Sequence, residues 1–126
     1  MGCDIHGWVE VYTEGKWVAV KELKDRSRNY ARFTALAGVR GHSSSPAVPL
    51  GIPEDVSETS SYHLAEWGAG GHSHSYLPIV EAGKIFLETA CDVNAYDREY
   101  PSSSFFDFYD DEIDLDNVRL VFWFDN

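Results

Sequence analysis

Two short motifs in the sequence carry residue types that hold metal ions and activate water. Asp4 and His6 lie two positions apart in "MGCDIHGWVE", and His72 and His74 have the same spacing in "GHSHS". Side chains two positions apart on an extended segment project to the same side, as two ligands of one ion must. The four side chains form a ligand set that suits zinc or manganese, and an ion with an open position activates water for hydrolysis. The alternative for "GHSHS" is an ordinary loop rich in Ser and Gly.

The first and last strand patterns share a second feature, a row of polar and aromatic side chains on one face. If the two strands pair, alternation puts seven such side chains on a common surface. They are Asp4, His6, Trp8 and Glu10 in the first strand and Arg119, Trp123 and Asp125 in the last. An aromatic floor with charged groups suits a nucleobase-like ring, which stacks on indole while its edges form hydrogen bonds. The alternative is the ordinary solvent-facing side of a sheet.

Charge is distributed unevenly along the chain. The net charge is −11, yet residues 1–40 carry seven basic and five acidic side chains, against three and sixteen in residues 41–126. Such asymmetry permits a local anion site on an acidic protein. The acidic remainder would repel a long phosphate backbone, which argues against extended nucleic acid as a partner.

The basic side chains are concentrated in the segment "KELKDRSRNYARF". We predict that Arg28 and Arg32 face a phosphate group together with Arg119, because guanidinium groups bind phosphate through charge-assisted hydrogen bonds. Asn29 is expected to help orient the ligand, and Tyr30 to orient it or to stack on its ring. The alternative is a solvated helix face.

The strands are indicated by alternating apolar residues. "CDIHGWVEVY" and "WVAV", joined by "TEGK", predict an antiparallel hairpin in which Gly15 takes a positive backbone dihedral. The run "NVRLVFWFDN" is the clearest strand pattern. It is apolar on nearly both faces, so we expect it to be covered on both and to pair beside the first strand.

Three segments have helical patterns. "SRNYARFTALAGVRG" predicts a helix capped by Ser27 or Asn29 and ended by Gly38. A short helix is expected from Ser57 to Trp67, after a long Ser- and Pro-rich loop that begins at position 42. "PIVEAGKIFLETA" predicts another helix, interrupted by Gly83.

These elements predict an α+β fold with a small, mostly antiparallel sheet, made of the N-terminal hairpin and the C-terminal strand. Two or three helices and long loops complete it. At 126 residues and 44% hydrophobic content, a single domain over residues 1–126 is expected. Neither a membrane-spanning run nor a signal-peptide pattern is evident, which predicts a cytoplasmic protein without a membrane partner. The spacing of Cys3 and Cys91 indicates reduced thiols.

Several motifs taken together resemble a family of small proteins encoded by phages and prophages. They are "MGCDIH", "RNYARFTALAGVRG", "GIPEDVS", "WGAGGHSHSYLP" and "VRLVFWFDN", which span nearly the whole chain. The resemblance implies a phage accessory protein in the cytoplasm of a bacterial host, and it implies no reaction. By analogy alone, accessory proteins of this kind counter bacterial defence, some by sequestering or cleaving nucleotide immune signals.

The function that we predict from the sequence is binding of a small phosphorylated, nucleotide-derived ligand. The indoles of Trp8 and Trp123 would stack on the base. The first alternative is a metal-dependent hydrolase of a similar ligand. The second is an acidic inhibitor that binds a host protein through the stretch at positions 107–116. The oligomeric state, including a homo-oligomer, is left open.

Overall fold

A computed structural model of the chain describes residues 2–40, 47–89 and 114–125. Within these ranges four strands and three α-helices form an α+β fold, as predicted. The strands are β1 (Asp4–Thr13), β2 (Lys16–Glu22), β3 (Gly71–Pro78) and β4 (Val118–Asp125). The helices are α1 (Tyr30–Ala37), α2 (Glu58–Trp67) and α3 (Ile79–Glu88). Cys91, the start of the predicted long loop and most of the acidic stretch at 107–116 lie outside the described residues.

The strands form one antiparallel sheet in the order β2-β1-β4-β3. The predicted hairpin is confirmed, and its turn places Glu14 (φ 51°) and Gly15 (φ 83°) in the left-handed region. A two-residue turn of this kind matches the twist of the flanking strands. The predicted pairing of the last strand beside the first is also confirmed, with Ile5 opposite Phe124 and Val11 opposite Val118.

β4 is the central element of the fold, and both of its faces are covered as predicted. Seven of its eight residues are buried. Val118, Leu120, Phe122 and Phe124 belong to the main hydrophobic cluster, whose other members lie in or close to β1, β2, α1 and α3. The opposite face of β4 carries Trp123, which is 1% exposed. Burial on both sides follows from its almost continuous apolar sequence.

Gly7 lies where β1 and β4 approach each other most closely. A Cβ added at this position would lie 2.5 Å from the carbonyl oxygen of Val121 and 3.1 Å from Cβ of Phe122. Neither atom moves freely, because both belong to the central strand. Any larger residue at position 7 would therefore push the two strands apart.

The first two predicted helices are confirmed, and a side chain caps the start of each. Asn29 precedes α1, and its side chain accepts a hydrogen bond from the backbone N–H of Arg32. Gly38 ends α1 with φ 71°, a conformation that costs glycine little. Ser57 caps α2 in the same way as Asn29, accepting from the N–H of Ser60.

The predicted interruption of the next helix at Gly83 is wrong. α3 runs unbroken from Ile79 to Glu88, and Gly83 is buried within it. Ile79, Ala82 and Phe86 of this helix are buried in the main core. Burial of that face stabilises the helix by more than the roughly 1 kcal/mol that an internal glycine costs.

Arg32 is an internal residue rather than a surface cation. It is 0% exposed, and its Nη1 donates to Asp25 Oδ2 at 2.9 Å. Its Nε donates to Thr89 Oγ1 at 2.9 Å and its Nη2 to the carbonyl of Phe86 at 3.1 Å. The prediction that Arg32 faces phosphate is therefore wrong. Its guanidinium joins the segment before α1 to the end of α3.

We predict that Arg32→Met lowers the free energy of unfolding by about 3–5 kcal/mol, because the change leaves the carboxylate of Asp25 buried without its cation. Urea unfolding followed by circular dichroism measures this loss. The matched control is Arg28→Ala, which removes a guanidinium whose side chain is 52% exposed and should change stability little. Equal effects of the two substitutions would contradict the internal role of Arg32.

Candidate functional site

The polar face of the sheet is built by the register of β1 and β4. Asp4 lies opposite Asp125, His6 opposite Trp123, and Glu10 opposite Arg119. Directly opposed residues in an antiparallel pair project from the same face. The common row predicted from the sequence is thus formed, but its two ends differ in burial and in partners.

One end of the row is closed by a buried ion pair. Glu10 is 0% exposed, and its Oε1 accepts a hydrogen bond from Nε of Arg119 at 2.8 Å. Nη1 of Arg119 donates to Asp55 Oδ1 at 2.9 Å, and its guanidinium lies 3.9 Å from the ring centroid of Trp17. The second carboxylate oxygen of Glu10 accepts from the hydroxyl of Ser60 at 2.7 Å. Arg119 is only 6% exposed, so the prediction that it faces phosphate is wrong.

The other end of the row contains an imidazole held between a carboxylate and an indole. Nε2 of His6 lies 2.6 Å from Oδ2 of Asp125. The ring of His6 is tilted by 33° against that of Trp67, with centroids 4.3 Å apart. The ring of Trp123 lies near the same imidazole, with centroids 6.2 Å apart and planes at 31°. Asp125 therefore orients an imidazole whose ring contacts two indoles.

A second pair of aromatic rings lies next to the first, and this one is stacked. The indole of Trp8 stacks on the imidazole of His63, with centroids 5.3 Å apart and planes at 28°. Nδ1 of His63 lies 3.2 Å from Oε1 of Glu66, three positions further along α2. α2 thus supplies one ring to each pair, because His63 and Trp67 are four positions apart and occupy the same side of the helix.

These two ring pairs, His6–Trp67 and Trp8–His63, flank a small cavity of about 90 Å³. Its lining consists of His6, Gly7, Trp8, Glu22, Leu23, His63, Trp67 and Trp123. Five of these residues (Gly7, Glu22, Leu23, His63 and Trp67) were not predicted as site residues. A signal for the latter two exists in the sequence, since a predicted helix over 57–67 places an imidazole and an indole one turn apart.

Arg28 lies beyond His6 on the same face, at the open end of the row. Its Nε donates to Asp4 Oδ1 at 2.9 Å and its Nη2 to Asp4 Oδ2 at 3.2 Å. The hydrogen bond from Arg28 holds the pKa of Asp4 below its ordinary value, against the opposing effect of burial. The same pair raises the pKa of Arg28. Asp4 is thus a charged partner of Arg28.

The neighbouring residues of the predicted ligand site serve the fold. The side chain of Asn29 caps α1 and donates to the carbonyl of Thr89 at 2.9 Å, and Asn29 is 6% exposed. The hydroxyl of Tyr30 accepts from the N–H of Cys3 at 3.2 Å. The prediction that Asn29 contacts a ligand is therefore wrong, because its amide is buried and engaged.

The "GHSHS" motif is part of strand β3 rather than a loop, and β3 pairs with β4. A register shift lies between His72 and Ser75, and Ser73 has φ 55°. His72 lies opposite Phe124 and stacks near it at 6.3 Å, on the core side of the sheet. Ser75 pairs with Phe122 on that same side, so His74 projects to the other face. The prediction that both imidazoles project to one side is wrong, because a bulge reverses the alternation.

The predicted metal ligands do not converge within the part of the chain that the structure describes. No group of three or more His, Cys, Asp or Glu side chains there has the arrangement of a metal site. Asp4 is bound by Arg28, His6 is bound by Asp125, and His72 lies on the core side of the sheet. These residues do not fit a common zinc or manganese ion.

Comparisons with known proteins give no match. No family model matches the chain, and neither a curated protein nor a solved structure does. Among the described residues, no helix combines the length and the apolar character that crossing a membrane requires.

His74 should titrate below the ordinary histidine value of about 6.5. Burial lowers its pKa by disfavouring the charged ring, and the positive charge of His72 lowers it further. As the pH falls below about 6.5, the unfolded chain takes up this proton before the folded one does. The folded state therefore loses stability through this group until the pH passes the pKa of folded His74.

NMR titration of the ring protons measures this pKa directly. His72→Gln is the informative variant, because it removes the neighbouring charge and should raise the pKa of His74 part of the way. A wild-type midpoint at or above about 6.5 would contradict the burial of this imidazole.

Proposed function

We propose that the chain binds a small phosphorylated ligand of the nucleotide type, with its ring in the cavity between the two ring pairs. The observation that carries this proposal is the ring geometry. His6 and Trp67 lie within 33° of parallel, and Trp8 and His63 within 28°. A planar heteroaromatic ring gains stacking contacts on such surfaces. Stacking of a base on an aromatic side chain contributes about 1–3 kcal/mol.

The size of the cavity limits what it can take. Pockets that enclose a drug-sized ligand have volumes of roughly 300–1,000 Å³. The volume here is about 90 Å³, so it accommodates one ring while the rest of the ligand extends over the surface. The direction of that extension is set by charge.

Arg28 is the cation that we assign to the phosphate group. It pairs with Asp4, which lies two positions from His6 on the same face, about 6–7 Å along the strand. Nε and Nη2 of Arg28 each donate one hydrogen bond to Asp4. A guanidinium has five N–H donors, so the pair with Asp4 does not use all of them. The side chain is 52% exposed, unlike the buried guanidinium groups of Arg32 and Arg119.

Binding is favoured over hydrolysis by the way in which the cavity imidazoles are engaged. His6 is paired with Asp125 at 2.6 Å and His63 with Glu66 at 3.2 Å, and each imidazole also contacts the ring of an indole. These contacts hold both rings as walls of the cavity. A protein of this design retains its ligand intact and acts by sequestering it.

Two substitutions test the ring and phosphate contacts separately. Calorimetry against AMP, GMP, CMP and UMP should find at least one monophosphate that binds the wild type. Trp67→Ala should then weaken binding about tenfold or more by removing a stacking surface. Arg28→Ala should weaken the binding of the monophosphate by a similar factor. It should leave the affinity for the matching nucleoside unchanged, because the nucleoside has no phosphate.

Matched controls are available in the same chain. Trp17→Phe alters an indole outside the cavity, and Arg26→Ala removes an exposed arginine of the same basic segment. Neither should change the affinity. Failure of every monophosphate to bind at millimolar concentration would overturn the proposed function.

A further inference from the structure

Glu22 places a carboxylate at the edge of the cavity. It lies opposite Trp8 in the β1–β2 pairing, so its side chain projects to the same face as that indole. The ion pair that the structure gives it is long, 4.0 Å to Nζ of Lys24, and both side chains are largely exposed. Such a pair contributes little to stability, so the carboxylate readily exchanges Lys24 for another partner. An ionised carboxylate only accepts hydrogen bonds, and it can accept two parallel N–H donors at once.

Trp123 supplies a complementary group on the other side of β1. It lines the cavity and is 1% exposed, and its indole N–H is buried without an acceptor among the described residues. A buried donor that lacks a partner is costly, and a ligand that provides an acceptor removes that cost. Glu22 pairs with Trp8 from β2, whereas Trp123 pairs with His6 from β4. The two residues are therefore two strand spacings apart across the sheet and two residues apart along it, roughly 11–12 Å in all.

We infer that the ring held in the cavity is the six-membered ring of a guanine-type base, an inference that rests on the proposed function. Its neighbouring ring and exocyclic N–H groups would donate to the carboxylate of Glu22. The carbonyl oxygen on the same edge would accept from the indole N–H of Trp123. This edge of the base would run across β1 from Glu22 to Trp123, where the two ring pairs flank it. This arrangement would give the carboxylate of Glu22 two donors and the buried indole N–H of Trp123 an acceptor.

The same groups discriminate against an adenine-type base. Adenine presents an unprotonated ring nitrogen where guanine presents an N–H, so it would bring a lone pair towards the carboxylate of Glu22. It also carries an amino group where guanine has its carbonyl, so the indole N–H stays without an acceptor. A site built to hydrogen-bond one pattern rejects the other, because its own polar groups are left unpaired.

The test is calorimetry of the full chain with GMP, IMP and AMP at one pH and one salt concentration. IMP keeps the carbonyl and the ring N–H but lacks the exocyclic amino group. We expect GMP to bind about tenfold or more tightly than AMP, with IMP between them. Glu22→Gln should weaken the binding of GMP about tenfold, because an amide oxygen accepts only part of the donor pair. The same substitution should leave the affinity for AMP unchanged or slightly higher.

Glu81→Gln is the matched control, since it neutralises an exposed carboxylate on α3, away from the cavity. It should leave the order and size of the three affinities unchanged. Equal binding of GMP and AMP by the wild type, with both lost in Trp67→Ala, would overturn this inference and keep the proposed function. Absence of binding by all three nucleotides would overturn both.

Discussion

The antiparallel ladder between β1 and β4 is the interaction on which the rest of the structure depends. It pairs eight residues of each strand, from Asp4 with Asp125 to Val11 with Val118. One face of this ladder carries the apolar residues that α1 and α3 cover, and the other carries the polar and aromatic row. Because side chains alternate, a shift of one residue would exchange the two faces and bury the charges against the main core.

Burial divides the polar row into a structural half and an accessible half. Glu10 and Arg119 are buried together, and their remaining hydrogen bonds are met by Asp55 and Ser60. A buried ion pair is tolerated only when such additional partners satisfy its groups. This network anchors the start of α2 over the sheet. α2 ends at Trp67, whose indole it places against the imidazole of His6. The cavity therefore depends on the hydrogen bonds by which the buried Glu10–Arg119 pair holds α2.

Local patterns in the sequence predict the strands and the helix ends well, because alternation and capping depend on nearby residues. The hairpin turn at Gly15, the cap at Asn29 and the stop at Gly38 are of this kind. The bulge in β3 could not be predicted, since Ser73 takes a positive φ that its residue type does not signal. The burial of Arg32 is equally invisible, because its partner Thr89 lies 57 positions away. Of the residues that line the cavity, the sequence predicts His6, Trp8 and Trp123 and misses those that β2 and α2 contribute.

The most direct measurement of the central claim uses the four tryptophans of the chain. In ¹⁵N-labelled protein each gives one indole N–H signal, and three of them, from Trp8, Trp67 and Trp123, line the cavity. Titration with GMP should shift these three signals together with one dissociation constant. The signal of Trp17, which packs on Arg119 at the closed end of the row, should stay in place. A shift of Trp17 alone, or three cavity signals unmoved at millimolar GMP, would contradict the assignment of the cavity as the ligand site.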